Sequence, residues 1–432
     1  MAPASARSTS RCFPIASDCC RVQPQLSLLN SFFMSNLGIY IQVPFCQTKC
    51  TYCNFHTGVV STDRFAPYIE AVQHEILCAR GLYQAAGVIP PEGFDWQSIR
   101  ASMRRRPAAD TLYIGGGTPS LLKPELLTRL LLTIQDCFSC NWKEVTLEAD
   151  PETIEPEKAG VWAAYGINRI SFGSQSFVDE ELKAAGRMHR ASDIYKAVPI
   201  LRNAGIGNIS FDLIAGLPKQ THESWRHSLS ETIALSPEHI SIYMMEIDEG
   251  SRLGLEVLQN GPRYSARQLP TEENMADFYE LAQRELKSAG YEQYEISNWA
   301  KPGFASNHNL KYWQREPYLG FGAGAHSFSG KQRWANKHDA AAYVEAISAN
   351  KSVIQNVQSV TRELAFEEEF FLGLRQLAGV NLARIQLQYG VNLQDKVSRL
   401  ASSGMVEQQG EVLRLVPAKL NVSNEILVEL LR

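Results

Sequence analysis

Six short β-like runs alternate with five amphipathic helical stretches between residues 39 and 244, and this rhythm restricts the fold more than any other feature of the chain. The strand candidates are 39–43, 111–114, 144–148, 169–172, 209–213 and 240–244; the helical patterns are 64–79, 123–137, 155–165, 194–204 and 223–235. Strand, crossover helix and strand, repeated, demand a parallel sheet with helices packed on it. Six such units predict an α/β fold built as a partial (β/α)6 barrel. In barrels of this kind functional side chains collect at the carboxyl ends of the strands. The loop after Val43, the turn Gly115, Gly116 and Gly117, and the residues Glu148, Gln175 and Asp212 all fall at or just past a predicted strand end.

A chain of 432 residues is too long for one ordinary core. The expected division is 1–33, 34–260 as the barrel core, 261–358 as an extension of it, and 359–432 as a small C-terminal domain. In that last part helical patterns at 362–377 and 393–402 precede two alternating runs near 404–407 and 412–415, which predicts a winged-helix-like α+β module. Glu367, Glu368, Glu369 and Asp395 offset its arginines, so no basic stripe for nucleic acid is present. A net charge of −4 gives no sign of a polyanionic partner, and no run of 18 apolar residues exists to span a membrane. Residues 1–33 carry Arg7, Arg11, Arg21 and one acid, Asp18, which is transit-peptide-like composition. Pro14 and Pro24 interrupt any amphipathic pattern, and Met34 stands just before the first strand. Translation from Met34 is therefore the preferred expectation, with the earlier residues a spurious extension.

The loop after the first strand reads Pro44-Phe45-Cys46-Gln47-Thr48-Lys49-Cys50-Thr51-Tyr52-Cys53, a C-x3-C-x2-C spacing. Three thiolates on one short loop suit a cubane 4Fe–4S cluster with one iron left for a small molecule. Zinc is the rival, with His56 near enough in sequence to complete four closed ligands. All nine cysteines precede residue 141, unlike the scatter of a disulfide framework, and a reducing cytoplasm is the expected setting. Cys78, Cys137 and Cys140 receive no role.

With Tyr52 inside the triplet, Cys46, Cys50 and Cys53 match the signature of the radical S-adenosylmethionine (SAM) superfamily. The run Tyr40-Ile41-Gln42-Val43-Pro44-Phe45 resembles the strand entering the cluster loop in oxygen-independent coproporphyrinogen III oxidases and in the HemW-type heme chaperones, the HemN-like group. The similarity continues through Gly115-Gly116-Gly117-Thr118-Pro119, Phe172-Gly173-Ser174-Gln175-Ser176-Phe177 and Asp212-Leu213-Ile214-Ala215-Gly216-Leu217-Pro218. It extends to His308-Asn309-Leu310-Lys311-Tyr312-Trp313 and to Gly320-Phe321-Gly322-Ala323-Gly324-Ala325-His326.

The resemblance implies a cluster on the three cysteines and SAM bound by Tyr40, Tyr52, Gly116, Gly117, Thr118, Glu148, Gln175, Arg187 and Asp212. A glycine turn lets backbone groups approach a ligand closely. Arg187 and Asp212 also read as an ordinary ion pair. Phe45, Tyr52 and Phe55 are expected to shield the site from water. Phe55 occupies the position where the oxidases carry a fourth cysteine, and the segment before the first strand, counted from Met34, is short. Both departures favour the chaperone over the oxidase, which would decarboxylate propionates through an adenosyl radical. Heme would then be cargo, passed to client proteins, with His308 as its expected ligand, Tyr312 and Trp313 stacking on it, and His326 as a second candidate ligand. An electron donor for the cluster is implied; a homodimer and peripheral membrane contact through clients stay open.

Overall fold

The computed structural model describes residues 37–89, 91 and 106–431; the expectations for residues 1–33 and Met34 lie outside them. Strands β1 (Leu37–Val43), β2 (Ala108–Gly116), β3 (Ser139–Ala149), β4 (Arg169–Gln175), β5 (Asn208–Ala215) and β6 (His239–Met244) pair in that order, all parallel. Helices Phe65–Ala85, Pro124–Cys137, Pro156–Ala164, Ala191–Asn203 and His222–Leu235 follow the first five strands, so the predicted β/α units are present.

Strand alternation explains why this sheet is a half-barrel with a polar interior. Ile39, Ile41, Leu112, Ile114, Leu147, Ile170, Phe172, Ile209, Phe211 and Ile240 are fully buried on one face. The residues between them, including Tyr40, Gln42, Tyr113, Glu148 and Asp212, take the other face. Parallel sheets covered on both faces by helices read as continuous apolar runs; here successive side chains alternate because the second face lines a lumen.

The sheet extends further than the sequence rhythm predicts. β7 (Glu292–Glu295) and β8 (Asn298–Ala300) pair antiparallel beyond β6, while β9 (Tyr318–Phe321), β10 (His326–Phe328), β11 (Gln332–Asn336) and β12 (Ile354–Ser359) extend the sheet from β1. These runs are three to six residues long, too short to show a period of their own.

The C-terminal part carries helices Arg362–Arg375, Leu382–Tyr389, Gln394–Ser402 and Ser423–Leu431 and a separate sheet of β13 (Val380–Asn381), β14 (Val406–Gln409) and β15 (Val412–Leu415) in the order β13-β15-β14. The two expected helices and the hairpin are present; helices Leu382–Tyr389 and Ser423–Leu431 and the two-residue β13 are additions. Among the described residues no helix is long and apolar enough to cross a membrane.

Candidate radical SAM site

The cysteine loop begins where β1 ends and is tied at three places. Its neck closes through Cys46 N–H to Gly58 O at 3.1 Å and Gly58 N–H to Pro44 O at 2.9 Å. Its middle is pinned by Thr51 N–H to Ala185 O at 2.9 Å and by Leu253 N–H to Thr51 O at 2.8 Å. The glycine turn after β2 zips onto it, with Gly117 N–H on Val43 O at 2.9 Å and Thr118 N–H on Phe45 O at 2.7 Å. The approach is close enough that a Cβ on Gly117 would lie 2.5 Å from Phe45 O. That contact, rather than a need for unusual dihedrals, is why residue 117 is glycine.

Gly116 has φ +105°, in the region that favours glycine. Its N–H donates to Glu148 Oε2 at 2.8 Å, and Tyr113 OH donates to Glu148 Oε1 at 2.8 Å. Burial pushes the Glu148 carboxyl up to about 7, with both donors opposing the rise. Asp212, halfway along β5, accepts from Ser171 Oγ at 3.2 Å and is pushed up by burial to about 6. Gln175 closes β4 with φ +61°, past a register shift against β5, a conformation that costs a non-glycine residue roughly 1–3 kcal/mol.

Arg187 does not pair with Asp212. Its partner is Asp150, just past the end of β3, reached through Nη2. Nη2 also donates to Gly173 O at 2.8 Å, and Nη1 points to Cys50 Sγ at 3.4 Å. Thr118 Oγ1 donates to the other Asp150 oxygen at 3.0 Å. Asp150 thus joins the glycine turn, the cation and the cysteine loop, yet sequence reading passed over it. The available signal was its position two residues after Glu148. Gln42 was missed as well: its amide lies 2.3 Å from where a Cβ on Gly116 would be, and Tyr40 OH donates to its Oε1.

Cys46, Cys50 and Cys53 are free and half-buried. Among the described residues no three His, Cys, Asp or Glu side chains stand together as a metal site. The donor set still fits a cluster: three thiols on one anchored loop, one of them with Arg187 Nη1 at 3.4 Å. His56, weighed as a fourth zinc ligand, lies against His338 with the rings tilted and their centroids 4.5 Å apart. Phe45 is buried against Phe65 at 4.8 Å, and Tyr52 packs near Ala185, Leu217 and Met245. Phe55, expected to shield the site, is instead 68% exposed.

His308, the expected heme ligand, is hydrogen-bonded through both ring nitrogens. Its Nδ1 shares a hydrogen bond with Thr111 Oγ1 at 3.0 Å and its Nε2 one with Tyr312 OH at 2.8 Å. Burial holds it neutral, with a pKa of about 3. Its helix, Asn307–Trp313, is nailed to β3 by Glu144, which accepts from Ser306 Oγ at 2.9 Å and Asn307 N–H at 2.7 Å. Thr111 lies four residues before Gly115 on β2, about 13 Å down the strand from the carboxyl-end site.

A cavity of about 770 Å³ lies between β1, β9–β11 and helix Arg362–Arg375. Its walls include Tyr40, Tyr312, Trp313, Tyr318 and Phe328, with Arg315, Arg333 and His326 among them.

Residues 40–231 match the radical SAM superfamily model and residues 360–418 the HemN C-terminal domain model. The fold and site therefore define a radical SAM protein with a HemN-type C-terminal domain. The chain belongs to the HemW family. It is 33% identical over 393 residues to the Bacillus subtilis protein named heme chaperone HemW, covering 90% of this chain and 97% of that one. It is 30% identical to the Lactococcus lactis protein of the same name, covering 91% and 96%. The solved structure of coproporphyrinogen III oxidase HemN from Escherichia coli superposes with a TM-score of 0.75 at 21% identity, over 91% of this chain and 90% of that one. That likeness bears on the fold alone.

Proposed function

We propose that this protein binds heme and passes it to client proteins, and that it carries a 4Fe–4S cluster on Cys46, Cys50 and Cys53 with SAM beside it. The observation that carries the cofactor part is the convergence of the cysteine loop, the glycine turn, Glu148 and the Asp150–Arg187 pair at one end of the sheet. The relatives named heme chaperones support the cargo.

A cluster held by Cys46, Cys50 and Cys53 would supply, when reduced, one-electron chemistry to SAM bound beside it. The chain's own groups have separate tasks. The Gly115–Gly117 backbone receives the amino-acid end of the ligand, and Glu148, once ionised, accepts from its ammonium. Arg187 is held by Asp150 beside Cys50, where it can meet a carboxylate. Asp212 and Gln175 accept and donate to the remaining polar atoms, and Tyr40 offers an aromatic face to the sulfonium. An external electron donor would reduce the cluster. The oxidase reading is not favoured: Phe55 stands at the fourth-cysteine position and lies exposed, and the HemN likeness is one of fold.

The test is anaerobic reconstitution with iron and sulfide, followed on one sample by hemin titration and by assay of coproporphyrinogen III conversion. Saturable hemin binding with no conversion is expected. Conversion by the unmodified protein, or hemin binding no tighter than to an unrelated globular protein, would overturn the reading.

A further inference from the structure

We propose that His326, rather than His308, ligates the iron of bound heme, and that the macrocycle occupies the aromatic cavity between β9–β11 and helix Arg362–Arg375. This rests on the heme-binding reading above and adds the site and the ligand to it.

The cavity has the dimensions and walls that a flat, iron-bearing macrocycle needs. Its volume, about 770 Å³, is within the range that encloses a ligand of that size. Tyr312 and Tyr318 meet edge to face with centroids 4.6 Å apart, and Tyr318 continues to Phe328 at 6.3 Å. Trp313 also lines the space, and among the described residues its buried indole N–H has no hydrogen-bond partner. A buried donor without an acceptor is costly, and a ligand acceptor would relieve it. Arg333 and Arg315 sit over the Phe328 ring at 4.1 and 5.4 Å. Both hold Glu368 of helix Arg362–Arg375, at 2.8–3.0 Å. They place two guanidiniums at the wall where the carboxylates of a heme would need partners.

The choice between the histidines follows from their nitrogens. Those of His308 are both committed to Thr111 and Tyr312. Taking it as a ligand would break a buried hydrogen bond and detach a ring that stacks on Tyr113 at 5.3 Å. His326 begins β10, is exposed, and lines the cavity directly. Among the described residues no hydrogen bond engages its ring; its recorded neighbour is His338, centroid to centroid at 6.4 Å. Partial burial and the neighbouring His338 and Arg333 hold its pKa below the usual histidine value, which favours the neutral imidazole that binds iron.

The test titrates hemin into the full-length reconstituted protein and into His326→Ala, His308→Ala and His326→Met, followed by visible absorbance and thermal melting. His326→Ala should weaken binding by about tenfold or more and lose the imidazole-type spectrum, and free imidazole should restore that spectrum. His308→Ala should melt lower yet keep the spectrum. His326→Met should shift the spectrum toward a thioether ligand, a change that a merely structural role would not produce. Unmodified protein that fails to bind hemin would sink the heme reading itself. Unmodified protein that binds, with His326→Ala and His326→Met unchanged in spectrum and affinity, would overturn the ligand assignment alone. So would loss of the imidazole spectrum in a folded His308→Ala variant.

Discussion

The backbone N–H of Gly116 donates to Glu148 Oε2 at 2.8 Å, joining the turn after β2 to the end of β3. The bond turns a buried acid toward the glycine turn instead of leaving it at a solvated strand end. Because burial lifts the Glu148 carboxyl to about 7, the folded protein holds its proton where the unfolded chain has lost it. The unfolded state then binds fewer protons, so stability falls as pH rises from the ordinary carboxylate range to about 7, and levels off above. Glu148→Gln should flatten that decline in the cofactor-free protein. Denaturant midpoints measured between about pH 5 and pH 8 check it; parallel curves for the two proteins would contradict it.

Each cysteine of the loop is expected to be indispensable to the cluster. Cys46→Ala, Cys50→Ala and Cys53→Ala should each remove bound iron and visible charge-transfer absorbance after anaerobic reconstitution. Cys78→Ala and Cys140→Ala are the controls and should retain both. A full complement of iron in all three loop variants, or stoichiometric zinc in the unmodified protein, would refute the assignment.

Asp150 and Arg187 should behave as one unit. Both are largely buried, and removing one partner of a buried pair typically costs about 3–5 kcal/mol because the other charge is stranded. Asp150→Ala should therefore lower the melting temperature and weaken SAM binding in calorimetry. A double-mutant cycle with Arg187→Met should give a coupling energy of roughly 1–3 kcal/mol. Additive effects would separate the two residues.

Adding one methyl group at position 117 should disturb the site without touching its chemistry. The Cβ of Gly117→Ala would stand 2.5 Å from Phe45 O, a backbone atom that moves only with the cysteine loop. Overpacking of this kind costs roughly 1–3 kcal/mol. Slower iron uptake at unchanged cysteine content is the expected signature, read by absorbance during reconstitution.

Glu144 should prove structural. It caps helix Asn307–Trp313 through Ser306, Asn307 and His308. Hydrogen bonds to a charged group contribute about 1.5–3 kcal/mol each, so Glu144→Ala should destabilise by at least about 3 kcal/mol in denaturant unfolding. Fluorescence from Trp313, Tyr312's neighbour on that helix, should report the loosening.

The six parallel strands were legible because each carries its own local period: apolar side chains toward the helices, polar ones toward the lumen. β7–β12 were not, since three to six residues hold too little pattern, and only pairing with a neighbour defines them. Glu148 and Gln175 could be placed at strand ends from the sequence, whereas Asp212, expected there too, lies halfway along β5. Asp150 could not be singled out, because one acid just past a strand end looks like any other until Arg187 folds against it.

By itself the sequence determined the β/α order, the cysteine spacing and the glycine turn, all of which depend on residues adjacent in the chain. Only the tertiary structure decided which acid neutralises Arg187, that both nitrogens of His308 are hydrogen-bonded, and that Tyr40, Tyr312, His326 and helix Arg362–Arg375 share one cavity. Those outcomes depend on which distant segments pack together, and burial then fixes which polar groups must satisfy one another.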